Sequence, residues 1–97
     1  MYSGLMELGL FTILCEFKGG TFISQVRAID APQAVIAWAN LLTREHPIED
    51  ASDRIAQAAT EAPDDPVPLT RLTGIWCWTA TVDGDLVIAN IVQSAQS

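Results

Sequence analysis

Residues 74–93, GIWCWTATVDGDLVIANIVQ, hold two runs rich in Trp, Ile, Val and Thr on either side of Asp83-Gly84. Asp-Gly between such runs is among the strongest short-range signals of a β-hairpin, because a type I′ turn needs positive φ at both central residues. With that dipeptide at the tip, Val82 faces Asp85, Ala80 faces Val87, Trp78 faces Ala89 and Trp76 faces Ile91. Beyond the tip this side is wholly apolar. The reverse side pairs Thr81 with Leu86, Thr79 with Ile88, Cys77 with Asn90 and Ile75 with Val92. A sheet with one solvated face alternates cleanly between apolar and polar residues. This one does not, so both of its faces are expected to be covered.

The same anomaly recurs near the start of the chain. Leu10–Phe17 (LFTILCEF) and Thr21–Ile29 (TFISQVRAI) are strand-like runs separated by Lys18-Gly19-Gly20. A Gly19-Gly20 tip predicts the pairs Phe17–Phe22, Cys15–Ser24, Ile13–Val26 and Phe11–Ala28 on a core side. It puts Glu16–Ile23, Leu14–Gln25, Thr12–Arg27 and Leu10–Ile29 on the other. Glu16 and Arg27 share that side, with Arg27 opposite Thr12 and so two diagonal steps from Glu16, and are read as a cross-strand ion pair or an anchor for a polar ligand.

Between the hairpins the apolar period changes to that of a helix. Asp30 is placed to cap, Gln33 follows three residues later, and Pro32 is tolerated in the first turn, where no intrahelical N–H partner is needed. Ala34, Val35, Trp38, Leu41 and Leu42 form one stripe, and Pro47 ends it. A second, shallower helix carries Ile48, Ala51, Ile55, Ala58 and Ala59, with Glu49, Asp50 and Asp53 suited to its first turns. The chain therefore divides into hairpin 9–29, helix 30–45, helix 48–60, a Pro/Asp loop 61–69, hairpin 70–93 and a polar tail 94–97. Together these make one α+β domain over 1–97. The expected architecture is two-layer, ββααββ, a four-stranded antiparallel sheet of two hairpins with two helices on one face. Residues 1–8 are read as a ragged end or a short docking extension.

Twelve acidic against five basic residues give a net charge of −7. That argues against nucleic acid, whose phosphates require basic patches, and against anionic membrane surfaces. Seven of the acids lie between Glu45 and Asp65, with Arg54 the only cation in Lys or Arg form there. No signal-peptide pattern and no run long enough to span a bilayer is visible, and two cysteines make no disulfide framework. The expectation is a cytoplasmic protein with free thiols.

Catalytic chemistry is sparse. There is no G-x-S-x-G, no Gly-rich phosphate loop and no H-E-x-x-H, so no catalytic residue, cofactor or metal is assigned. His46, the single histidine, sits between a helix end and a proline, where a dipole partner is the plain reading. Zinc would need Cys15, Cys77 and a carboxylate to converge. The registers place Cys15 on the core side and Cys77 on the reverse, although inverting the second hairpin would reunite them. Asp83-Gly84-Asp85 lacks the remaining ligands of a calcium loop. Asp64-Asp65 reads as loop chemistry before it reads as a cation site. Trp76 and Trp78 are spaced like a stacking platform, but their apolar cross-strand neighbours favour a core.

What remains is surface. Leu10, Leu14, Ile23, Ile75, Ile88 and Val92 are expected to form an aliphatic outer face, too large for a monomer to leave bare. A sheet-to-sheet homodimer is the simplest cover; a different partner or the N-terminal segment would also serve. The leading reading is a non-enzymatic, acidic protein-interaction module that presents Glu49, Asp50 and Asp53 to a basic protein partner, as an inhibitor, immunity protein or antitoxin does. The alternative is a small-molecule-binding domain or small enzyme whose outer-face pocket is lined by Thr12, Glu16, Gln25, Arg27, Thr79 and Asn90. The segment GGTFISQVRAIDAPQAVIAWA resembles the strand, Asp cap and Ala-rich helix plan of several small bacterial ββα modules, antitoxins among them. The plan covers about a quarter of the chain and transfers no functional residue.

Overall fold

The structure is a computed structural model and describes residues 8–61 and 65–94. In order the elements are β1 (Gly9–Phe17), β2 (Gly20–Ala28), α1 (Ala31–Glu45), α2 (Ala51–Glu61), β3 (Val67–Pro68), β4 (Ile75–Val82) and β5 (Asp85–Gln93). This is an α+β arrangement with two helices and an antiparallel sheet, but the sheet has five strands, not four, in the order β2-β1-β5-β4-β3. The extra strand comes from the Pro/Asp stretch expected to be a loop. Val67 and Pro68 pair with Cys77 and Trp76, and the Leu69 N–H donates to the Ile75 carbonyl at 3.0 Å. An outer position suits proline, which has no N–H to offer a further strand. Most of the expected N-terminal extension and residues 62–64 and 95–97 lie outside the described residues.

The second hairpin has the register that Asp83-Gly84 implies. Both turn residues have positive φ, 54° and 83°, and the pairs run from Val82–Asp85 to Ile75–Val92. The first hairpin differs. Its tip is Lys18-Gly19, with φ of 50° and 79°, and not Gly19-Gly20. Gly20 instead begins β2 opposite Phe17, where a Cβ would stand 3.0 Å from the Phe22 ring. Glycine is needed there to admit the ring, and Lys18 takes the left-handed position in its stead. The register therefore moves by two residues, pairing Cys15 with Phe22, Ile13 with Ser24 and Phe11 with Val26. A shift of two leaves every side chain on its original face; a shift of one would have inverted them all.

β1 and β5 join the hairpins at the centre of the sheet through Ile13–Ile91, Cys15–Ala89 and Phe17–Val87. The chain leaves β2 at one edge and re-enters the sheet at the other, and the two helices span that gap. Asp30 caps α1 by accepting from the Gln33 N–H at 2.9 Å, and His46 closes it in the left-handed region. The second helix begins at Ala51, not at 48. Glu49 has φ of 50°, and the fully buried Ser52 Oγ accepts the Ile48 N–H at 2.8 Å, so residues 47–50 turn before the helix can start. Both helices contribute to the same core as the inner face of the sheet. Trp38 is 1% exposed and meets Trp78 edge to face, with ring centroids 6.0 Å apart.

Trp38 links the helical layer to the sheet, so Trp38→Ala is expected to cost about 3–5 kcal/mol, whereas Ile36→Ala on the exposed side of α1 should cost under about 1 kcal/mol. Urea unfolding followed by circular dichroism reads both; equal losses would contradict the assigned core.

Candidate functional site

Alternation along the strands divides the sheet into two chemically different faces. The inner one is closed by the helices. On the outer one, Gln25, Thr12, Val92 and Ile75 form one row across β2, β1, β5 and β4; the next row is Ile23, Leu14, Asn90 and Cys77. A third runs Thr21, Glu16, Ile88 and Thr79. Leu10, Leu14, Ile75, Ile88 and Val92 are half-buried by their neighbours, while Ile23 is 65% and Leu86 57% exposed. Neither helix contributes to this face, since the residues each buries belong to the core on the other side.

The polar residues of that face do not gather. Gln25 donates to Thr12 Oγ1 at 3.0 Å, which makes a local pair. Asn90 stands amid Leu14 and Cys77, and Thr79 is a row away. The two-residue register shift takes Arg27 from opposite Thr12, four positions along β1 from Glu16, to opposite Leu10, six positions away. At about 3.4 Å per residue that is roughly 20 Å, and the expected ion pair does not form. A single polar pocket built from these groups is therefore not what the backbone arranges.

The acidic edge lies at the end of the domain where α1 gives way to α2. Asp53 Oδ1 is 3.1 Å from His46 Nε2, while Arg54 of α2 pairs with Asp83 at the tip of the second hairpin and Lys18 stands 3.4 Å from Asp85. Exposed pairs of this kind contribute at most about 1 kcal/mol each, but they tie the hairpin tips and α2 to one another. Glu49 and Asp50 make no ion pair among the described residues. They border an open groove of about 490 Å³ whose lining includes the apolar Phe17, Phe22 and Ile48 and also the cations Lys18 and Arg54. Sequence reading named the acids but missed this groove, because its floor depends on where the hairpin tip docks.

The inward–outward assignment of the two cysteines holds. Cys15 is fully buried on the inner face, and Cys77 is half-buried on the outer. Burial, with Glu16 adding to it, pushes the Cys15 thiol up to about 11. Trp78 is core, and Trp76 lies half-buried against Phe11 with centroids 6.0 Å apart, so the pair is packing and not a stacking platform. Among the described residues no group of three or more His, Cys, Asp or Glu side chains could hold a metal ion, and no helix is long and apolar enough to cross a membrane. Compared with family models, with curated proteins and with solved structures, the chain matches none.

The contrast between the thiols is directly measurable. At neutral pH, in native buffer dilute enough to hold single chains, a thiol reagent should modify Cys77 and leave Cys15 protected until the protein is unfolded, because only the thiolate reacts and burial withholds it. Simultaneous modification of both would contradict the placement of Cys15.

Proposed function

We propose that the protein is an acidic, non-enzymatic interaction module that pairs with a second copy of itself through the outer face of the sheet. The observation that supports this most directly is the row structure of that face. Leu14, Ile88 and Val92 occupy its centre on the two central strands, and polar groups are interspersed without converging. At roughly 25 cal/mol per Å², covering even 400 Å² of apolar surface is worth about 10 kcal/mol before association costs are subtracted. A self-complementary patch on a two-fold axis needs no second gene product to cover it.

Within that reading, the acidic edge faces a different partner. Glu49 and Asp50, which make no ion pair among the described residues, rim a groove lined by Phe17 and Phe22, while the cations that share it, Lys18 and Arg54, are engaged by Asp85 and Asp83; the two free carboxylates are what the Lys or Arg side chains of a basic protein would meet. An inhibitor or immunity-type role follows from that chemistry, since neutralising a basic enzyme needs complementary charge and shape instead of catalytic groups. The cytoplasm is the compartment this reading implies, given two unpaired thiols. The small-molecule alternative has less support, because Thr12, Gln25, Arg27, Thr79 and Asn90 are spread over the sheet.

Replacing Leu14 with Asp puts a charge at the middle of the outer face without touching the core. Sedimentation velocity should show the face contact weakened by at least tenfold while circular dichroism is unchanged. An assembly that retains its mass with Leu14→Asp would show that the outer face is not the contact.

A further inference from the structure

The two edges of the sheet are built very differently. On one side β3 is two residues long, ends on Pro68 and follows Pro66, the kind of edge that resists pairing with another strand. On the other side β2 runs for nine residues with no proline and only one charged side chain, Arg27. The Lys18-Gly19 turn makes Phe17 and Gly20 the hydrogen-bonded pair that closes the hairpin. Alternation then turns the N–H and C=O groups of Phe22, Ser24, Val26 and Ala28 toward β1. Those of Thr21, Ile23, Gln25 and Arg27 point to the free edge. All four residues are exposed, and none of the turn, loop and cap hydrogen bonds among the described residues involves them.

We infer that β2 pairs antiparallel with β2 of a second copy, about a two-fold axis at Ser24. In an antiparallel ladder the outward residues of one strand must meet outward residues of the other, so the axis passes through a residue of β2. Only an axis at Ser24 uses all nine residues, setting Gly20 opposite Ala28, Thr21 opposite Arg27 and Ile23 opposite Gln25. The same register places Phe22 opposite Val26 of the second copy on the core side. Phe22 is half-buried in the single chain, so the core would continue across the junction. Exposed Ile29 and Ile36 share a cleft with Arg27 beside the same strand and add apolar surface there. The second copy is favoured over an unrelated strand because its side chains match at every position: no charge meets a like charge, and the one aromatic meets the one buried valine.

This contact stands beside the outer-face contact and does not rest on it. The edge uses backbone groups and the face uses side chains. If both form, two face-paired sheets of ten strands each close a four-chain assembly with dihedral symmetry.

Ser24 gives a test that separates the two. Its side chain lies on the helical face of the sheet, so outer faces pressed together cannot bring two copies of it into contact. Across the proposed axis the two Ser24 residues form a non-hydrogen-bonded pair with Cα atoms about 4.5 Å apart, within disulfide range. The full chain carrying Ser24→Cys and Cys77→Ala should form a covalent dimer under mild oxidation with glutathione disulfide. The control, Thr21→Cys with Cys77→Ala, should form at least tenfold less, because residue 21 meets residue 27 and not itself. Adding Gln25→Pro, which deletes an outward N–H, to the Ser24→Cys, Cys77→Ala chain should reduce that cross-link at least tenfold with circular dichroism retained. Absence of the Ser24→Cys dimer, equal cross-linking of the Thr21→Cys control, or an undiminished Ser24→Cys cross-link in the presence of Gln25→Pro would each overturn the edge pairing. Adding Leu14→Asp should leave the Ser24→Cys cross-link intact; loss of the edge signal with the Leu14→Asp effect preserved would remove only this proposal.

Discussion

Pairing of β1 with β5 is the contact on which the rest of the molecule depends. Each hairpin is local, specified within about twenty residues, and an isolated hairpin is marginal in water. The β1–β5 ladder joins segments from opposite ends of the chain and brings Ile13, Cys15, Val87, Ala89 and Ile91 together with no exposure to solvent. Once it exists, the helices have a continuous surface to lie on, and Trp38 can reach Trp78. Loop closure across the intervening helices opposes this ladder, so burial of these side chains must overcome it.

That central ladder also explains why the two faces differ. One route across the sheet, from β2 to β4, carries both helices and delivers both to the same side. Among the described residues the opposite side therefore has the same strands but no helix. Its aliphatic residues are not failed core positions: they alternate in strict register with the buried set, and they fall in rows with Thr, Gln and Asn. This mixture of aliphatic and polar rows is the surface that the proposed contact between two copies would cover.

Much of this was readable from the residues, and the failures have physical causes. Asp83-Gly84 fixed its hairpin because only one dipeptide there tolerates two positive φ angles. Lys18-Gly19-Gly20 offered two possible tips, and the choice fell to the Phe22 ring, a tertiary contact that no local rule contains. β3 was missed because Pro66 and Pro68 signal a loop, and only the presence of an adjacent strand converts an extended Pro segment into an edge. The delayed start of α2 depends on Ser52, whose hydroxyl satisfies a buried N–H upstream. On the functional side, the aliphatic and acidic sets were legible as lists. Their grouping was not: the register shift moved Arg27 still further from Glu16 and left the polar candidates dispersed, while docking of the hairpin tip beside the acids created the groove.

The central claim is that the sheet carries a surface built for another copy of the chain. Molar mass measured by light scattering during size-exclusion chromatography, over a wide range of concentration, tests it most directly. The account predicts an assembly larger than one 10.5 kDa chain, two or four copies, that dissociates only on strong dilution. A monomer that persists at the highest concentration would contradict it.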